Sequence, residues 1–198
     1  VGLVLIIVFA GELRILPAGG MGDWTHYVLP GFTLGWFVVA GMMRLLSGLL
    51  EAASETDPVV REEVANLPEG LVIGMSVLGD SSRMRIKKRG GVLVRLDPDT
   101  NQKPELEIVF KHVTHAFLVL SFQEGTARAF ANDRMITQGD LSLAMKVVRC
   151  LNRVEAVVLP RFVAERALKA YPELGLGEKL SAGARIYGRT LAHVLGGK

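Results

Sequence analysis

Apolar positions are concentrated at the front of the chain. Residues 1–10 (VGLVLIIVFA) are apolar throughout, but ten residues are too few to cross a hydrocarbon core of about 30 Å, so they read as the tail of a longer span. They carry no basic flank of the kind that opens a secretory signal. The glycine-rich stretch from Pro17 to Gly22 predicts a loop. In residues 28–50 the only charge is Arg44, and about twenty helical residues at 1.5 Å each would span a bilayer. Two readings stand for this run. One is a membrane-spanning helix, with Arg44 snorkelling from near its end and Trp24, Tyr27 and Trp36 at an interface. The other is a hydrophobic helix buried against a partner or against the domain's own core.

Patterning then changes. Asp57 followed by Pro58 is a helix start, and Val60, Val64 and Leu67 line one face of a short helix ended by Pro68-Glu69-Gly70. Residues 71–78, 84–89 and 92–96 predict short strands joined by turns at 79–82 and Gly90-Gly91. In the second strand Arg83, Arg85, Lys87 and Arg89 alternate with Met84 and Ile86, so a period of two places four cations on one face. Leu106, Ile108 and Phe110 alternate with Glu105, Glu107 and Lys111 in a fourth strand. Residues 113–130 are too densely apolar for periodicity to separate strand from helix, and helix is preferred. Met135 and Ile136 make a short strand, Gly139-Asp140 a turn and N-cap, and Leu141, Ala144, Met145, Val148 and Leu151 the apolar stripe of a long helix. Pro160 interrupts it; residues 162–171 predict a further basic helix, and 181–195 a docking helix or a frayed tail.

The expected organisation is a hydrophobic helical segment at 1–56, a mixed α+β domain at 57–175 with a five-stranded sheet covered by helices, and a basic amphipathic tail at 176–198. Composition sharpens this. Residues 1–69 hold eight acidic and three basic side chains, whereas 71–198 hold twelve and twenty, so the net charge of +3 conceals a basic C-terminal part. With a pI near 9.2, that part suits an anionic surface: lipid, nucleic acid or an acidic partner. No nucleic-acid docking motif or set of interleaved aromatics accompanies the charge, which leaves membrane lipid as the better partner. Arg83, Arg85, Lys87, Arg89, Arg149 and Arg153 are the expected contacts to it. Arg44 and Arg61 place the domain on the cytoplasmic side.

Catalytic signatures are missing from the sequence. There is no phosphate-binding loop, no H-E-x-x-H, no strand-linked G-x-G-x-x-G and no G-x-S-x-G elbow. His112-x-x-His115 could share a helix face and hold a metal with Glu105 or Glu107, but two histidines do not make a ligand set. The single cysteine, Cys150, lies on an apolar helix and reads as packing. The expectation is a protein that is not an enzyme, with no catalytic residue, cofactor or metal.

The order of helix, three hairpin strands, polar loop, strand, two short helices and strand, followed by Gly139-Asp140-x-x-x-Ala144-x-Lys146, resembles the sterol carrier protein type 2 domain over about residues 71–149. In that family a final strand runs into a Gly-Asp turn and an apolar helix of this form. The resemblance implies a five-stranded sheet packed by helices around a tunnel for a sterol, fatty acid or similar lipid. The chain departs from soluble family members in its hydrophobic front, in its Gly196-Gly197-Lys198 end and in the basic helices after the motif. Phe117, Leu120, Phe122, Phe130, Met135, Leu141, Met145 and Val148 are the expected cavity lining, although each of these residue types is more often ordinary core. The function expected is non-catalytic lipid binding or transfer by a membrane-associated domain. The alternative is an accessory subunit of a larger membrane complex, with the other subunits as partners.

Overall fold

In the computed structural model of the chain, residues 25–79, 83–97, 100, 102–160, 164 and 175–195 are described, the side chains of 25–37, 176, 194 and 195 excepted. The expectations for 1–24, for the turn at 80–82, for the rings of Trp24, Tyr27 and Trp36, and, Ala164 apart, for a helix over 162–171 lie outside the described residues.

A long helix, α1 (Thr25–Thr56), leads through a capped break into α2 (Pro58–Ala65). Asp57 makes the break as expected: its carboxylate accepts from the backbone N–H groups of Val59 (3.0 Å) and Val60 (3.1 Å), and Pro58 occupies the first turn. Strands β1 (Val72–Val77), β2 (Arg83–Arg89) and β3 (Val92–Arg95) form an antiparallel meander. Gly90 (φ 60°) and Gly91 (φ 82°) supply the two left-handed positions that a tight hairpin between β2 and β3 requires. β4 (Leu106–Phe110) pairs parallel to β1, and β5 (Met135–Gln138) returns antiparallel beside β4. The sheet order is therefore β3-β2-β1-β4-β5. Helices α3 (Val113–Leu120) and α4 (Thr126–Ala131) connect β4 to β5, α5 (Leu141–Val158) follows β5, and α6 (Leu176–Leu195) closes the described chain. The α+β class and the mixed five-stranded sheet covered by helices are as expected.

Period two sorts the sheet into faces. Ile73, Met75 and Val77 of β1, Met84 and Ile86 of β2, and Leu106, Ile108 and Phe110 of β4 all enter one core. The same core takes Val39, Met43, Leu46, Leu49, Leu50, Ala52 and Ala53 from α1, and Ala182 and Ile186 from α6. Residues on both sides of 56 and of 175 thus share a single interior. On α6, Tyr187 and Leu191 are exposed while Ile186 is buried.

Two findings bear on the reading of residues 28–50 as a membrane span, of which 38–50 are described with their side chains. Among the described residues no helix is long and apolar enough to cross a membrane. Moreover, the second half of α1 seals the edge of the sheet. The Leu93 N–H donates to Ser54 Oγ (3.0 Å), and the N–H and Nε–H of Arg95 donate to Glu51 (3.3 and 2.7 Å). β3 is the outer strand, so these side chains satisfy backbone donors that would otherwise face solvent. From Val39 to Ala53 the apolar stripe of α1 packs on the domain's own core, which belongs to the other reading made from sequence.

Candidate functional site

A cavity of about 270 Å³ lies where α1 crosses the sheet beside α3 and α5. Its wall has four parts. α1 contributes Met42, Leu45, Leu46 and Leu49; the sheet contributes Met75, Ile108, Phe110 and Met135; Val119, Leu120, Ser121, Phe122 and Thr126 come from the end of α3 and the start of α4; and α5 supplies Leu151 and Glu155. Twelve of these fifteen are Leu, Met, Val, Ile or Phe. Leu45 is 56% exposed and marks the mouth.

Local backbone chemistry sets this wall. Ser121 caps the C-terminus of α3, and the next residue, Phe122, takes φ 61° with its N–H donating to Val119 O (3.0 Å). A left-handed residue past a helix end is usually glycine, and holding a phenylalanine there costs of the order of 1 kcal/mol. The turn sets its ring at the cavity.

Three of the eight lining residues expected from sequence are in this wall: Leu120, Phe122 and Met135. Phe117 packs against the core without lining the cavity, and Val148 is half-buried. Phe130, Leu141 and Met145 face solvent, at 51%, 61% and 51% exposure. The reason is the phase of α5. Its buried stripe is Ala144, Val147, Cys150, Leu151 and Val154, about one position round from the stripe expected. Nothing in the sequence assigns Met42, Leu45, Leu46 and Leu49 to the cavity, because their run reads as a membrane span or as a helix buried against a partner or the domain's own core. Glu155 carried no sequence signal beyond a charged residue within an apolar helix.

Glu155 is the chemically unusual member of the wall. It is only 8% exposed, and burial among apolar side chains pushes its carboxyl up to about 7. Cys150, on the same helix, is likewise raised by burial, to about 12, which suits the packing role expected and not a reactive thiol.

The six expected surface cations divide into two groups. Arg85 is buried and reaches across β1 to Glu107 of β4 (3.2 Å), which also accepts from Ser76 Oγ (2.8 Å). Gly74 stands in register with both Arg85 and Glu107, and a Cβ there would meet the Arg85 guanidinium at 2.5 Å. The missing side chain is what lets the arginine cross. Arg149 pairs with Glu63 (2.6 Å), and that hydrogen bond holds the Glu63 carboxyl below the usual carboxylate range. Arg153 pairs with Asp57 (3.1 Å) and Glu178 (3.0 Å), tying α5 to α2 and α6. Arg83 and Arg89 are exposed, and Lys87 is half-buried beside Gln102 (3.4 Å). Lys88, on the opposite face, donates to the Ala65 and Leu67 carbonyls where α2 ends.

A larger polar groove of about 1000 Å³ runs along the other stripe of α1, past Arg44, Ser47, Glu51 and Glu55, to β2, β3 and α6. Several of its charges are paired: Glu51 holds Arg95 and lies 3.2 Å from His193 Nδ1, while Glu55 holds Arg189. His112 caps α3, its Nδ1 accepting from the Thr114 N–H (3.2 Å), and among the described residues no three His, Cys, Asp or Glu converge on a common point.

No protein-family model matches the chain. The chain is 51% identical over 43 residues to the glutathione transport system permease protein GsiC of Escherichia coli (strain K12), covering 22% of this chain and 14% of that protein. It is 33% identical over 72 residues to the GsiC of Pectobacterium atrosepticum, covering 36% and 24%. The chain thus spans less than a quarter of the length of the curated relatives it matches. Among solved structures, it is similar to the UbiJ-SCP2 ubiquinone synthesis protein at 16% identity and a TM-score of 0.43, over 60% of this chain and 96% of that one.

Proposed function

We propose that this chain is a non-catalytic binder of a hydrophobic small molecule, which it holds in the cavity under α1. The observation that carries the reading is the wall itself: twelve apolar side chains from the sheet and the helices over it around about 270 Å³ of space. That is slightly below the roughly 300 to 1,000 Å³ of ordinary ligand pockets. Binding would draw on burial of apolar surface, at about 0.8 kcal/mol per CH₂. Native mass spectrometry of the full chain, with organic extraction, is expected to show one bound lipid-like molecule per chain. Leu45→Trp, which closes the mouth from a solvent-exposed position, is expected to abolish uptake of the neutral fluorophore N-phenyl-1-naphthylamine with an unchanged circular dichroism spectrum. A folded chain that takes up neither a natural molecule nor the fluorophore sinks the reading.

The same reading includes contact with an anionic membrane through Arg83, Lys87 and Arg89, which share one face of β2. Each cation near such a surface is worth about 1 kcal/mol. The triple change of these residues to Gln is therefore expected to lower co-sedimentation with phosphatidylserine vesicles at least tenfold, while Arg149→Gln, whose partner is Glu63, leaves it within about twofold. Equal sedimentation of the triple variant and the parent chain would remove the membrane from the reading. A second reading, an accessory subunit docked on a partner, is favoured by Leu141 and Met145, one turn apart on α5 and both exposed.

A further inference from the structure

We propose that Glu155 is the head-group anchor of the cavity: its carboxyl donates a hydrogen bond to a neutral oxygen of the bound molecule, so the site takes an alcohol or a ketone carrying a short apolar chain. The inference rests on the hydrophobic-ligand reading and adds the polar end of the ligand to it.

Three observations meet at this residue. First, Glu155 lines the cavity one turn beyond Leu151, the other α5 residue in the wall, so its side chain stands on the cavity side of the helix. Second, it is more than nine-tenths buried, and burial is what perturbs its carboxyl, with no ion pair or hydrogen bond from the described residues acting on it. Polar groups buried to this degree are bonded as a rule, and the cavity is where a bound molecule can meet this carboxyl. Third, several charged groups of the helices packed on α5 are engaged with one another. Glu63 of α2 holds Arg149, Asp57 and Glu178 hold Arg153, and Glu51 and Glu55 of α1 serve Arg95, Arg189 and His193. None of them acts on Glu155, and burial alone favours its neutral, donating form.

Below about pH 7 the neutral form prevails and fixes the chemistry of the guest, so the competition below is run at pH 6. A protonated carboxyl offers one O–H donor, which suits an oxygen acceptor without a charge of its own. An anionic head would bring a second desolvated charge into the same apolar wall. The volume is also limiting: about 270 Å³ equals roughly nine water-sized groups at ~30 Å³ each, room for one oxygen and about eight carbons before a longer chain must leave by the mouth at Leu45.

The test is displacement of N-phenyl-1-naphthylamine from the full chain by eight-carbon competitors that differ only at the head: 1-octanol, 2-octanone, 1-chlorooctane, octanoate and octylamine. The expected result is that the alcohol and the ketone compete about tenfold better than the chloride, the worth of one ordinary hydrogen bond. Glu155→Gln, whose carboxamide N–H can donate in the same place, keeps that preference. Glu155→Leu loses it while still binding 1-chlorooctane. Equal competition by alcohol, ketone and chloride in the parent chain overturns the anchor and leaves the hydrophobic-ligand reading intact. A preference for octylamine overturns it too, because Glu155 would then act as a buried counter-ion. Failure of the fluorophore to bind at all ends both proposals. If Glu155→Leu does not fold, the ligand series on the parent chain and on Glu155→Gln still decides the matter.

Discussion

Glu155→Gln is expected to stabilise the ligand-free chain by about 3 kcal/mol at pH 8 and to leave it unchanged near pH 4. In the folded chain burial holds the Glu155 carboxyl at about 7, against an ordinary value of 4.5 once the chain unfolds. The folded state therefore binds this proton more tightly than the unfolded state. Below the unfolded value both states are protonated and burial of the neutral group sets the cost. As pH rises from about 4.5 to about 7 the unfolded chain gives up the proton first, and stability falls at ~1.4 kcal/mol for each unit of pH until the folded carboxyl ionises as well. Glutamine has nearly the same shape and no charge to desolvate, so the variant escapes that loss. Urea denaturation at pH 4, 6 and 8 reads the effect directly. The two midpoints should coincide at pH 4 and separate progressively above it at constant slope. Coincident midpoints at pH 8 would mean that water or a counter-charge reaches Glu155, and the dry cavity wall would be lost with it.

The second large effect belongs to the turn between β5 and α5. Gly139→Ala is expected to cost about 3 to 5 kcal/mol, enough to unfold a domain of ordinary stability in part of the population. Gly139 has φ +117°, a conformation almost closed to residues with a side chain, and a Cβ there would overlap the Glu105 carbonyl oxygen and stand 3.1 Å from Leu106 Cα. The obstructing atoms are backbone of the neighbouring β4 and its approach, so no rotamer change relieves the clash. Thermal unfolding followed by circular dichroism should place the variant well below the parent. A shift of under ~2 °C would show that the β4–β5 ladder can move aside. Asp140, the next residue, needs this turn: its carboxylate accepts the Ser142 N–H at 2.6 Å and starts α5 in the one phase that sends Leu151 and Glu155 to the cavity.

How much of this was legible follows from how local each signal is. The strands could be read because alternation in 84–89 and 106–110 has only one solution once a face is buried. The helix starts could be read because Asp57-Pro58 and Gly139-Asp140 satisfy backbone donors within three residues of themselves. The cavity could be read only in part. In α5 the apolar residues cover more than half of the circumference, so Leu141, Met145 and Val148 form as good a stripe on paper as Ala144, Val147, Leu151 and Val154. The contact with α1 and the sheet, not periodicity, selects between them. Arg85 shows the same limit on a strand. Its alternation with Met84 and Ile86 is correct, but the empty space above Gly74 and the carboxylate of Glu107 lie on other strands, and they turn an expected surface cation into a buried ion pair.

What the sequence by itself determined is the α+β class, the succession of strands and capped helices, the Gly-Asp turn and the excess of apolar side chains, because each depends on residues within a few positions of one another. Only the tertiary structure decided what that apolar excess is for. Residues 39–53 lie against the sheet because Glu51 and Ser54 meet N–H groups of β3 that lie 44 and 39 positions further on, while Leu45, Leu46 and Leu49 face Met75, Ile108 and Leu120 across a gap they do not fill. The buried carboxyl of Glu155 stands in the wall of that gap. A cavity is a relation between surfaces distant along the chain, and local pattern carries no record of the distance between them.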